Sequence, residues 1–171
     1  LHQIFEETGW KELILKPAIS AAAWNTHRVS KKNIQKKESI FCSLKSTQKM
    51  IVQEFQKTVL IDGEISLVVI GGKFTHAVIK KVKKNDYRVQ DDYGGTVSDY
   101  SPNKKEILFA ENVIKNCDPR PLYARVDILF DKNKNLLLSE LELIEPELWF
   151  RFCNKSAALL AKEIASYIGR P

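Results

Sequence analysis

An α+β fold with largely antiparallel sheets is what this sequence predicts, and three observations carry the expectation. Short apolar segments rich in β-branched residues dominate the first two thirds of the chain, at lengths that favour strands over helices. Sharp turn signals separate several of them, the tightest being Gly71-Gly72 between two apolar runs. Two segments of the last third switch to the three- and four-residue spacing of amphipathic helices.

Taken in order, the predicted strands are ELILK (12–16), MIVQEF (50–55), ISLVVI (65–70), FTHAVIK (74–80), YARVDILF (123–130) and NLLLSELEL (135–143). Asp62-Gly63 introduces the third, Gly71-Gly72 joins the third to the fourth as a hairpin, and DKNKN (131–135) links the last two. The first helix is predicted to start with Ser101 as its N-cap and Pro102 in its first turn. It would carry Ile107, Ala110, Val113 and Ile114 inward and end near Cys117-Asp118-Pro119. The second starts near Asn154 or Ser156, presents Ala157, Leu160, Ala161, Ile164 and Ile168 on one face, and stops at Gly169. Between the hairpin and the first helix, KKNDYRVQDDYGGTVSDY (83–100) is too long and polar for a passive turn, which marks it as a binding loop.

The 171 residues, 44% of them hydrophobic, suffice for one fair-sized core or two small lobes. No apolar run approaches the roughly 18 residues of a membrane span, and the N-terminal LHQIFEETGWKEL lacks the layout of a signal peptide, so a cytoplasmic protein without membrane partners is expected. Cys42, Cys117 and Cys153 lie far apart with no Cys-x-x-Cys pair, which argues against a disulfide framework or a zinc site. The chain opens on Leu1 in mid-stride, and the expectation is that an upstream part is missing. A net charge of +6, concentrated in KKNIQKK (31–37), KKVKK (80–84) and Lys104-Lys105, suggests an anionic partner; for 31–37 the expectation is a solvated lysine-rich loop.

The segment LLLSELELIEPEL (136–148) sets four glutamates among leucines and isoleucines. In a strand, residues two apart share a face, so Glu140 and Glu142 point one way and Leu141 and Leu143 the other. The preceding strand, brought alongside by the DKNKN turn, adds Arg125 and Asp127 with a shared phase of their own. A divalent cation with oxygen ligands would relieve the repulsion among three acids. The alternative is an amphipathic strand whose acids face solvent and pair with surface lysines. Glu145 and Glu147 flank Pro146, which breaks the strand and leaves them on a turn. His76 reads as a satisfied strand histidine, and no Ser/His/Asp order or P-loop is present.

YARVDILFDKNKNLLLSELELIEP (123–146) resembles the metal-binding hairpin of ATP-grasp ligases, in which Arg-x-Asp is followed on the next strand by Glu-x-Glu or Glu-x-Asn. Upstream, LILKP (13–17) resembles the family's strand whose lysine reaches the ATP phosphates, and IVQEF (51–55) its adenine hinge. GEISLVVIGGKFTHAVIKK (63–81) with NDYRVQDDYGG (85–95) is most similar to the glutathione-synthetase-like branch, which includes cyclo-ligases of cycloserine biosynthesis. The resemblance implies an ATP-grasp fold of two α+β lobes without the preceding substrate domain, residues 1–56 belonging to the smaller lobe and 57–171 to the C-terminal one. It implies ATP and Mg²⁺ as cofactors, held by Lys16, Ser20, Gln53, Glu54, Phe55 and, near the ribose, Glu64 for the nucleotide and by Asp127, Glu140 and Glu142 for the metal. Arg125, Arg88 and Lys80 are the implied catalytic cations near the transferred phosphoryl group and the substrate carboxylate. The glycine-poor SAAAWNTHRV (20–29) falls where the family has a flexible phosphate-covering loop and departs from it in its scarcity of glycine.

The implied reaction joins a small-molecule carboxylate, amino-acid or peptide-like, to an amine through an acyl phosphate. Two other readings stand beside it. One is a kinase of the same fold acting on a hydroxyl substrate. The other is a basic nucleic-acid-binding domain, suggested by the lysine excess and by Tyr87, Tyr93 and Tyr100; a sheet face of carboxylates would repel phosphates, so no nucleic-acid partner is expected. A homo-oligomer is left open.

Overall fold

Glu64–Ile70 is buried along its whole length, the pattern of a central strand covered on both faces. The computed structural model to which it belongs describes residues 1–19, 23–82 and 95–169. The chain divides into two compact units, Leu1–Gln56 and Lys57–Pro171.

The first unit is a three-stranded antiparallel sheet with helices on one face. Helix α1 (His2–Thr8) leads into strand β1 (Glu12–Pro17), followed by β2 (His27–Ser30), helix α2 (Ile34–Lys45) and β3 (Met50–Glu54), in the spatial order β2-β1-β3. Leu13 and Leu15 of β1, fully buried, point with Val29 toward Leu1 and Phe5 of α1 and Ile34 of α2. Strand β2 and helix α2 were not expected from the sequence. The run KKNIQKK is a helix start rather than a loop, because Ile34 finds a buried seat on the sheet while Lys31, Lys32 and Lys36 stay in water. On the opposite face the register aligns Ile14 with Arg28 and Gln53, so Lys16, Arg28 and Gln53 share the face that the helices leave bare.

The second unit opens with a short helix α3 (Val59–Asp62) and holds a five-stranded antiparallel sheet, β6-β5-β4-β7-β8. Its strands are β4 (Glu64–Ile70), β5 (Lys73–Lys81), β6 (Thr96–Tyr100), β7 (Tyr123–Phe130) and β8 (Leu136–Glu142). The β4–β5 hairpin closes through Gly71 and Gly72 at φ 58° and 78°, a two-residue turn that needs positive φ twice and so favours glycine. Helix α4 (Lys104–Lys115) packs Ala110 and Ile114 against Leu67, Val69, Ala124, Val126 and Ile128 on one face. Its N-cap is Asn103, not Ser101: Asn103 accepts from the Lys105 and Glu106 amides while Glu106 returns a bond to the Asn103 amide, a capping box. Glu106 is buried, and the Tyr100 hydroxyl donates to it; burial together with that carboxylate pushes the Tyr100 phenol up to about 12.

Helix α5 (Asn154–Ile168) and the 3₁₀ turn Phe150–Phe152 cover part of the other face, packing Leu159, Leu160, Leu148 and Trp149 against Val68, Ile70 and Val78. The predicted inner face of α5 is corrected by this contact. Leu160 packs inward, but with Leu159 and Ser156 beside it, whereas Ala157, Ala161, Ile164 and Ile168 are exposed. Apolar residues surround most of that helix, so spacing alone does not select a side.

His76 of β5 is part of the same packing. Its Nε2 donates to the Leu148 carbonyl at 2.9 Å, and its Nδ1 faces the Thr75 and Ser156 hydroxyls at 2.9 and 3.3 Å. Burial holds its pKa below the ordinary 6.5, so the unfolded chain takes up a proton at a pH where the folded one resists it. Stability of this unit therefore falls as pH drops below about 6.5, and the fall continues down to the lower folded pKa. Denaturant midpoints at pH 7.5 and 5.5 should separate for the native chain and draw together in His76→Gln.

Candidate functional site

Where α5 stops covering the sheet, its open end gathers six charged side chains from four strands. Strand register explains why they meet. Across β7 and β8, Asp127 stands opposite Glu140 and Arg125 opposite Glu142, so all four occupy one face. Across β4 and β5, Glu64 stands opposite Lys80, and Ser66 of β4 is the partner of Asp127. Ser66 is small enough for the Lys80 side chain to cross above it from β5 toward β7.

Asp127 is the buried centre of this cluster. Its Oδ1 accepts from Arg125 Nε at 3.0 Å, and its Oδ2 from Arg125 Nη2 at 3.0 Å and Lys80 Nζ at 2.9 Å. Arg125 Nη2 also donates to Glu142 Oε1. Lys80 Nζ meets Glu64 Oε1 at 2.5 Å, and the Ser139 hydroxyl donates to Glu64 Oε2 at 2.9 Å. Burial would push the Asp127 carboxyl up, but Lys80 and Arg125 beside it reverse that and hold it below the usual aspartate value. Burial would likewise push the Lys80 ammonium down, and Glu64 and Asp127 instead hold it above the usual lysine value. Glu142 differs: burial, assisted by Asp127, pushes its carboxyl up in spite of Arg125.

One oxygen from each of Asp127, Glu140 and Glu142 lies within 4.8 Å of the others. Glu64, Lys80 and Arg125 border the same face. A hard divalent ion such as Mg²⁺, which takes oxygen donors and few carboxylates, fits the donor set.

The remaining predicted residues fall elsewhere. Lys16, Gln53, Glu54 and Phe55 lie on β1, β3 and the end of β3 in the first unit, Lys16 and Gln53 half-buried and Glu54 exposed. Phe55 is buried beneath the Arg28 guanidinium, 4.1 Å from its ring centre, and Arg28 is also bound to Glu12 at 2.7 Å. Glu64, expected near ribose, faces Lys80 and Ser139 in the second unit. Ser20 and Arg88, with most of the polar segment 83–100, lie outside the described residues.

Ser139 was missed from the sequence. It is the extra residue of a β-bulge: Asp127 pairs with Glu140 but Ile128 with Leu138, so Ser139 opposes nothing. The bulge lets Leu136 and Leu141, of opposite parity, pack on the same core. A serine breaking the run LLLSELEL was its available signal. A second bulge at Thr75 sets Glu64 opposite Lys80; without it, a hairpin counted from Gly71-Gly72 would pair Glu64 with Ile79.

A family model described as a RimK-like ATP-grasp domain matches residues 13–168. No curated protein matches the chain at a significant level. Among solved structures, the D-cycloserine synthetase DcsG superposes with a TM-score of 0.83 at 18% identity, over 97% of this chain and 59% of that one. The D-alanine–D-alanine ligase from Bacillus anthracis gives 0.66 at 16% identity, over 98% of this chain and 56% of the ligase. The ATP-grasp ligase PsnB, complexed with minimal precursor, Mg and ADP, gives 0.63 at 16% identity, over 95% and 49%. This chain thus spans about half to three-fifths of their lengths, and at these identities the likeness shows the fold.

Proposed function

Since the chain belongs to the RimK-like ATP-grasp domain family, we propose that it is the ATP-binding portion of a ligase joining a carboxylate to an amine through an acyl phosphate. The observation that carries this reading is the cluster of Asp127, Glu140 and Glu142 on one sheet face, an oxygen of each within 4.8 Å of the others, with Arg125 inserted between two of its acids. Among the similar structures, one is by name a D-alanine–D-alanine ligase and another is an ATP-grasp ligase complexed with a precursor peptide, which supports amino-acid or peptide-like substrates here.

Asp127, Glu140 and Glu142 would hold Mg²⁺. Bound there, the ion would supply positive charge to offset that of the ATP phosphates. The residues of the chain do the positioning. Lys16, Gln53, Glu54 and Phe55, with Ser20, are the proposed nucleotide-holding set, Lys16 directed to phosphate and the β3 backbone to adenine. Arg125 supplies a fixed guanidinium beside the acids, placed to steady negative charge that grows on a transferring phosphoryl group, and Arg88 is the proposed contact for the substrate carboxylate. That carboxylate attacks the γ-phosphorus, ADP leaves, and the amine then displaces phosphate from the acyl phosphate.

The test combines a binding and a trapping measurement. Mg·ATP binding should be saturable, and ADP release in an amino-acid screen should be accompanied by hydroxamate when hydroxylamine is present. ADP release without hydroxamate would favour a kinase, because a phosphate ester is not trapped. Glu140→Gln should weaken metal-dependent nucleotide binding by about a hundredfold while leaving the melting temperature unchanged, since Glu140 is exposed. Calorimetry with and without Mg²⁺ measures the first and a thermal melt the second.

A further inference from the structure

Asp127 offers an oxygen to the metal face, and the residues that hold its carboxylate include a chain of contacts ending at the β8 bulge. A carboxylate offers about four lone-pair directions, two on each oxygen. Oδ2 of Asp127 is crowded by Lys80 Nζ at 2.9 Å and by Arg125 Nη2 and Nε at 3.0 and 3.2 Å, whereas Oδ1 accepts from Arg125 Nε at 3.0 Å. Oδ1 therefore meets fewer cationic donors than Oδ2, and the Ser66 hydroxyl is a further neighbour of the carboxylate. Lys80 contributes to that difference, and Lys80 is itself clamped by Glu64 Oε1 at 2.5 Å, whose other oxygen takes the Ser139 hydroxyl at 2.9 Å. Lys80 and Glu64 are both buried, so neither has room to wander once the chain is assembled.

We propose that Ser139, Glu64 and Lys80 are positioning residues that act through Asp127, orienting its Oδ1 toward the divalent ion. This assigns Lys80 and Glu64 a different part from direct contact with phosphoryl and ribose. It also gives the bulge a purpose: the extra residue in β8 sends a hydroxyl to Glu64 and still leaves Glu140, the next residue, opposite Asp127. The inference rests on the metal reading above, and outer contacts of this kind typically change metal affinity by about 10- to 100-fold.

Lys80→Met would leave two acids facing each other and can lose the fold, so Ser139 is the better handle. Mn²⁺ is titrated into the native chain, Ser139→Ala and Ser139→Thr with a non-hydrolysable ATP analogue present, and free Mn²⁺ is read by electron paramagnetic resonance. The expected result is an affinity about tenfold weaker in Ser139→Ala, a return to the native value in Ser139→Thr, and superimposable circular dichroism for all three. Equal affinity in the native chain and Ser139→Ala overturns the inference while the metal reading stands. A weakened Ser139→Ala that Ser139→Thr fails to restore overturns it too, since packing rather than the hydroxyl would then be responsible. Absence of Mn²⁺ binding by the native chain overturns the metal reading itself, and the inference with it.

Discussion

Asp127→Asn should both unfold more easily than the native chain, by about 3–5 kcal/mol, and lose divalent-ion binding. The two losses share one cause. Asp127 is fully buried and supplies the countercharge for Arg125 and Lys80, both of which are themselves buried. Asparagine keeps the shape and one acceptor oxygen but not the charge, so two cations are left on the sheet facing a neutral amide, and the metal face loses its innermost acid. Removing one partner of a buried ion group is far more harmful than the modest net worth of the group would suggest. Urea unfolding of the second unit measures the stability change. A variant as stable as the native chain would mean that Glu64 and Glu142 suffice to balance both cations, and the buried network would then be misread. The contrast with Glu140→Gln is the useful part: both variants should lose metal, but only the buried one should lose stability.

Gly63→Ala should be the most damaging small change at the edge of the same site. Gly63 has φ 81° and ψ −169°, a region open essentially to glycine alone. A Cβ built there would lie 2.6 Å from the Lys80 carbonyl oxygen, a backbone atom that cannot step aside without moving β5. Strain and overpacking together should cost about 2–5 kcal/mol. Because Gly63 immediately precedes Glu64 and presses on Lys80, the displaced backbone should also loosen the Glu64–Lys80 pair and weaken metal binding. Guanidinium unfolding and the Mn²⁺ titration together check this. An alanine tolerated at native stability would contradict the close approach of α3 and β5.

How much of this was legible beforehand varies with the range of the interaction that decides it. The run ISLVVI, buried on both faces, is readable because a central strand needs no alternation. Gly71-Gly72 is readable because two successive positive φ angles exclude most residues. That Arg125 shares a face with Asp127, and Glu140 with Glu142, is readable because each pair lies within one strand and a period of two suffices; that the two pairs meet on the same face depends on the Ser139 bulge, without which the register of the turn sets Asp127 opposite Ser139. The N-cap at Asn103 was misplaced by two residues, since Ser101 and Pro102 also satisfy local cap preferences and only the Glu106 contact separates them.

By itself, then, the sequence determined the strand-rich α+β plan, the hairpin, the two long helices of the second unit and, within single strands, the pairing of Arg125 with Asp127 and of Glu140 with Glu142 on a face. Tertiary structure alone decided that Thr75 and Ser139 bulge, that Lys80 crosses Ser66 to reach Asp127, and which side of α5 lies against the sheet. The physical reason is that a bulge exchanges the two faces of a strand at a single residue. Whether that exchange is favourable depends on what packs above and below the sheet, which no local pattern of residues contains.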